Sequence, residues 1–284
     1  TIGSDTTRIV WDRNWEDRYT DPGVPLTTRN AAGRTVLRRL GDGFTLLMAG
    51  AGASPRGDEP FLDRFDLTTG ETERIWQSQP PHFESLLAVM DPEAQRLLIS
   101  RESETSPPGL CFFVPGSPRP LRAVTVGVDP TPQFRGIRKE ILQYARDDGA
   151  PLTGTLYRPE GDGPWPTVVW AYPREYKNAD AAGQVRDSPH RFLRVTHWSP
   201  YIWCALGYAV LADPSLPIIG EGEVQPNDTY IDQLVRGARA AVDHLVSMGV
   251  SQPGRLAVGG HSYGAFMTLN LLAHCDLFAT GIAR

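Results

Sequence analysis

The chain has 284 residues, more than one ordinary domain, so one large or two smaller domains are expected. With 40% hydrophobic and 21% charged residues its composition is that of a soluble globular protein, and a net charge of −5 offers no basic field to nucleic acid. Cys111, Cys204 and Cys275 match neither zinc spacing nor a disulfide framework, and no run of 18 apolar residues would span a membrane. No cluster implies a metal or an organic cofactor.

In chain order, residues 1–125 show short strand-like runs separated by turn signals. FTLLMAG (44–50) precedes the loop AGASPRGDEP, and FLDRFDLTTGETERIWQS then reads as two alternating runs around a tight turn, a hairpin. In MDPEAQRLLIS, Asp91 and Pro92 form a turn, with Leu97, Leu98 and Ile99 on the next strand. Short antiparallel strands at this spacing suit a sandwich, a barrel or propeller blades. The polar, proline-punctuated VDPTPQF (128–134) marks a boundary that divides the chain into 1–128 and 129–284.

Beyond that boundary the style changes. IRKEILQYARDDGAPLTGTLYRPE reads as two strands joined by a turn at Asp147–Gly149, and WPTVVWAYP (165–173) as a strand buried on both faces. HWSPYIWCALG (197–207) predicts a helix ended by Gly207, and YAVLADP (208–214) a second buried strand. Apolar residues at 231, 234, 235, 238, 241, 242, 245 and 246 form a helical stripe stopped by Gly249. RLAVGG (255–260) is a third buried strand, and AFMTLNLLAHCDLF has helical spacing again. Strand and helix in alternation predict a parallel α/β sheet.

Gly260-His261-Ser262-Tyr263-Gly264 matches G-x-S-x-G in the context that gives the pattern meaning, after a buried strand and before a helix. There a serine sits at the tip of a strained turn, and the flanking glycines avoid collisions with the neighbouring strand. The following helix aims backbone N–H groups at charge developing on an attacked carbonyl, the Tyr263 N–H first. Ser262 also needs a base. In α/β-hydrolases the acid and the histidine follow the serine in chain order, yet only His274 and Asp276 do so here, in or just after the next helix. Together with a first residue that is Thr1, this suggests a piece of a longer protein, with its triad Asp and His beyond Arg284.

GGHSYGAFMT with LLAHCDLFATGIAR resembles the glutamyl endopeptidase branch of the prolyl oligopeptidase family. The resemblance extends through WAYPREYKNADAAGQVRDSP, LPIIGEGEVQPND and YIDQLVRGARAAVD, and reaches PFLDRFDLTTGETERIW in the first half. It implies that 1–128 are the C-terminal blades of a partial β-propeller. By the same resemblance, 129–284 are the N-terminal half of an α/β-hydrolase domain, a doubly wound parallel sheet incomplete at its C-terminal side. The activity implied is that of a serine peptidase cleaving oligopeptides after Glu, through an acyl-enzyme on Ser262.

The second oxyanion donor of the family, a tyrosine after the first long buried strand, falls on Tyr172, whereas aligning V-x-A-x-P with the dipeptidyl peptidases puts Trp170 there. Cleavage after Glu requires a cation for a desolvated carboxylate. Among Arg174, Lys177, Arg186, Arg191 and Arg194, Arg186 is the first choice and Arg174 the second. Two alternatives stand beside this reading: an esterase or acylaminoacyl peptidase of the same fold, and a non-catalytic fragment acting as a binding module. The chain by itself is expected to show no turnover. The expected compartment is the plastid stroma for a plant protein and the cytoplasm for a bacterial one.

Overall fold

The computed structural model describes residues 8–41 and 43–284; residues 1–7 and 42, counted above with the first domain, lie outside the described residues. Two compact units are present. One takes the residues up to Ala53 with Glu59–Glu102 and Pro108–Gly127, the other Ser54–Asp58, Ser103–Pro107 and Val128–Arg284.

The first unit contains two four-stranded sheets, each with its strands side by side in chain order. One is made of Val24–Pro25, Thr45–Gly50, Phe61–Asp66 and Thr72–Gln77, the other of His82–Val89, Leu97–Ser103, Gly109–Phe113 and Leu121–Ala123. Asp66 forms the turn of the DLTTGETERIW hairpin by accepting the Thr68 and Thr69 N–H groups at 2.6 and 3.0 Å. Asp91 does the same for Glu93 and Gln95, at 3.1 and 2.9 Å. Period-two alternation then delivers Leu47, Leu62, Trp76, Leu97 and Ile99 into one core with Leu40, Ala94 and Cys111. On the first sheet Leu46, Met48 and Phe65 form a second apolar cluster.

The second unit is built on a six-stranded sheet: β1 (Arg138–Ala145), β2 (Pro151–Arg158), β3 (Thr167–Trp170), β4 (Ala209–Ala212), β5 (Leu256–Gly260) and β6 (Thr280–Ala283). Their order is β1-β2-β4-β3-β5-β6. β1 and β2 form an antiparallel margin around the expected turn, and β4, β3, β5 and β6 run parallel. A parallel pair, Arg174–Tyr176 with Pro217–Ile219, stands apart from this sheet. Three helices accompany it: α1 (Ala179–Ala182), α2 (Tyr230–Ser247) and α3 (Tyr263–His274).

The parallel strands read as continuous apolar runs because both of their faces are covered. Val169, Leu211, Leu256 and Val258 pack on one side with Leu234, Ala238, Ala241 and Leu245 of α2 and Met267 and Leu271 of α3. Val168, Val210 and Ala212 meet Tyr157 and Cys204 on the other, with Trp170 and Trp203 partly buried against them. The stripe read from the sequence is the one α2 buries, and Gly249 at φ +71° follows its end.

Residues 197–207 differ from the expected helix. Pro200 opens and Gly207 (φ +81°) closes a seven-residue 3₁₀ segment, Pro200–Leu206, leaving no length for a full α-helix. β6 (TGIA) and the Arg174–Tyr176 pair (REY) were not anticipated; neither carries the continuous apolar run that marks the equally short β3 (TVVW) and β4 (AVLA). No helix among the described residues is long and apolar enough to cross a membrane.

Candidate active site

The C-terminal end of β5 turns sharply into α3, and the turn depends on its glycines. A Cβ at Gly260 would run into the Ala171 carbonyl oxygen and the Gly264 backbone, and one at Gly264 would meet the same Ala171 oxygen. At Gly259 a Cβ would come within 2.8 Å of the Trp170 ring. With side chains excluded at these positions, β3 approaches closely enough for the Ala171 N–H to donate to Gly259 O at 2.9 Å. Ser262 takes φ 56° and ψ −113°, a strained conformation for a residue with a side chain, of the kind found at functional sites.

Hydrogen bonding around the turn leaves two groups free. The N–H of Gly264 donates to His261 O at 2.8 Å, and those of Ala265 and Phe266 donate to Ser262 O at 2.9 and 3.2 Å. The Tyr263 N–H, first of the helix, has no acceptor among the described residues. Ser262 is exposed, and its hydroxyl neither caps α3 nor meets another polar group among them. A hydroxyl and an unused helical N–H thus share one exposed tip.

Tyr172 lies one residue past the Ala171 contact. It is 47% exposed, and its ring meets that of Tyr263 edge-on at 5.9 Å. The alternative at Trp170 has a different environment, because its ring packs on Gly259 within the cluster under the sheet. The structure therefore brings Ser262, Tyr263 and Tyr172 together. Tyr263 also stacks on Phe266 at 5.8 Å, contacts Tyr230 at 5.8 Å and donates its hydroxyl to Glu175 at 3.4 Å. Burial pushes both the Tyr230 and the Tyr263 phenols up, so they stay protonated.

The arginines of the 174–194 segment are more dispersed. Arg174 is exposed at the start of its short strand, and its charge opposes the rise of the Asp213 carboxyl, which desolvation drives. Asp213 itself closes β4 at φ 48°. Arg186 is held over the Tyr176 ring, 6.0 Å from the centroid. Arg191 pairs with Asp187 at 3.5 Å, and Asp187 also pairs with Lys139 at 2.5 Å. Of the acid–base candidates after the serine, His274 stands at the far end of α3, roughly 18 Å along the helix from Ser262 at 1.5 Å per residue. His261 turns its ring toward Trp198, edge-on at 6.3 Å. Sequence reading missed this Trp198 neighbourhood and Arg284 within it, because the contact joins residues 86 positions apart.

Residues 228–284, which hold α2, β5, the turn, α3 and β6, match the prolyl oligopeptidase family, so the serine turn lies in a prolyl oligopeptidase family peptidase domain. The resemblance to the glutamyl endopeptidase branch is found over most of the chain. Two plant proteins named "Probable glutamyl endopeptidase, chloroplastic" are similar over 98% of it, that of Oryza sativa subsp. japonica at 45% identity and that of Arabidopsis thaliana at 44%. The chain spans 31% of the length of each of these relatives. Among solved structures, a variant of the AtxE2 isopeptidase shares the fold with a TM-score of 0.55, over 93% of this chain and 42% of that one, at 18% identity.

Proposed function

We propose that this chain carries the nucleophile of a serine-type peptidase that cleaves oligopeptides after Glu through an acyl-enzyme on Ser262. The observation that carries the reading is the strained turn, where a free serine hydroxyl and a free helical N–H share one tip. In this reading the six-stranded sheet is the first half of an α/β-hydrolase domain. The two four-stranded sheets of the first unit are blades of a propeller that excludes folded substrates by size.

The chemistry follows from the groups present. Ser262 Oγ attacks the scissile carbonyl carbon and its proton passes to a base. The resulting oxyanion is held by the Tyr263 N–H and the Tyr172 hydroxyl, donors of a kind that each account for about 10²–10³ in turnover. Collapse breaks the C–N bond, the amine leaves with the proton, and water then releases the acid from Ser262. No acid–base group contacts Ser262 among the described residues, and the plant relatives are about three times as long. We therefore assign the base and its orienting carboxylate to the enzyme outside residues 1–284 and expect no turnover from these residues alone. Within the cation-rich segment, Arg186 and then Arg174 are the candidate substrate-binding cations. The names of the plant relatives support the preference for Glu.

The test is hydrolysis of Glu esters and Glu-containing peptides by the product of the complete reading frame. Turnover that disappears in Ser262→Ala supports the reading. Ser262-dependent turnover of simple esters without a preference for Glu would favour the esterase or acylaminoacyl peptidase, and a product inert toward all of them the binding module.

A further inference from the structure

Arg284 follows β6 and is fixed beside the nucleophile by its own backbone. Its N–H donates to Gly260 O at 3.1 Å, and its carbonyl accepts the Ser262 N–H at 2.9 Å. Alternation along the strand decides where its side chain goes. A Cβ at Gly281 would touch Leu272 and Thr268 of α3, so positions 281 and 283 face that helix while 282 and 284 face the opposite side. On that side stands Trp198, 57% exposed, with the Arg284 guanidinium carbon over its ring at 3.7 Å from the centroid. The same indole meets His261, the residue before the nucleophile.

A guanidinium held over an indole is attracted through its charge and commits none of its N–H donors to that contact. Arg284 makes no ion pair and no side-chain hydrogen bond among the described residues. Lys139 and Arg191, by contrast, share Asp187. Beside Ser262, then, a cation rests on an aromatic platform with a donor fork unspent, the geometry that receives a carboxylate in bidentate fashion. We propose that Arg284, backed by Trp198, is the specificity-determining residue that reads an acidic side chain of the bound peptide next to the scissile bond. This rests on the peptidase reading above and deepens it. It moves recognition of glutamate from Arg186, held over Tyr176, to the residue bonded to the nucleophile's own N–H.

The test compares paired peptides with Glu or its neutral isostere Gln at the cleaved position, in the product of the complete reading frame. In Arg284→Gln the Glu-to-Gln ratio of kcat/KM falls on the order of 10–100-fold, the worth of a charge-assisted pair. Arg284→Lys retains part of the ratio, and Trp198→Ala lowers it. The ratio is its own control for folding, since a misfolded variant loses both substrates together. An unchanged ratio in Arg284→Gln overturns the proposal. A second measurement needs no turnover: calorimetric binding of acetyl-Ala-Glu-amide against acetyl-Ala-Gln-amide to the Ser262→Ala protein. A Glu preference that Arg284→Gln removes supports the subsite even where Ser262-dependent turnover is absent, a result that would sink the peptidase reading alone. No Glu preference in the parent would sink the subsite alone.

Discussion

The serine turn and the cation-rich segment 174–194 both follow strands of one sheet, β5 and β3, yet they are held in opposite ways. At the turn, position is fixed by backbone: Gly260 and Gly264 lie against Ala171, and Ser262 is tied to Arg284. In the segment, the backbone packs through small or apolar residues, with Ala181, Ala182, Val185 and Ser188 buried, while the arginines are exposed. A group whose geometry is set by backbone contacts can serve chemistry that tolerates little displacement. Exposed arginines on a packed loop can supply charge without being placed to the same tolerance. The difference teaches where to look for a residue that must be aimed, which is among those bonded to the turn itself.

Several substitutions would break or sharpen this contrast. Tyr172→Phe removes one proposed oxyanion donor and should lower kcat about 10²–10³-fold, roughly 3–4 kcal/mol of barrier, at nearly unchanged thermal stability. A loss confined to KM would return Tyr172 to the role of a packing residue. Gly260→Val drives a side chain into Ala171 O and the Gly264 backbone, and should cost about 3 kcal/mol in denaturant unfolding along with activity. Full tolerance would mean that the turn is not as tight as described.

A smaller effect is expected at Arg146, which is buried and ties β1 to the rest of the unit through Asp148, Pro217 O and Gln233. The hydrogen bond from Arg146 holds the Asp148 carboxyl below its ordinary value. Its folded pKa is therefore the lower one, so its contribution is fully present above the unfolded value near 4 and is lost as pH falls through the folded value. Asp148→Asn should cost about 1 kcal/mol at pH 7 and flatten the acid limb of a stability–pH curve. An unchanged acid limb would contradict this. Least is expected of Arg186→Ala, within about 0.5 kcal/mol in unfolding, because Arg186 is exposed and lies over the Tyr176 ring at 6.0 Å from the centroid. A larger loss would erase the contrast between turn and segment.

How much of this was legible in the sequence varies with the kind of interaction. The Ser262 turn could be read because its five residues carry their own steric reason, and α2 because eight apolar residues between 231 and 246 follow a 3.6-residue period. The 3₁₀ segment at Pro200–Leu206 was read as a helix because proline and glycine punctuate both kinds of element. Tyr172 was preferred to Trp170 through the resemblance alone, since the packing of Trp170 on Gly259 is a tertiary fact. Arg284 over Trp198 had no local signal at all, because only the pairing of β6 with β5 brings the two together.

The central claim, that Ser262 is the nucleophile, is tested most directly by acid-quenching the product of the complete reading frame during turnover of a Glu ester and mapping the trapped acyl group by peptide mass spectrometry. The account predicts the acyl group on Ser262 and none in Ser262→Ala. An acyl group on another residue, or undiminished turnover by Ser262→Ala, would contradict it.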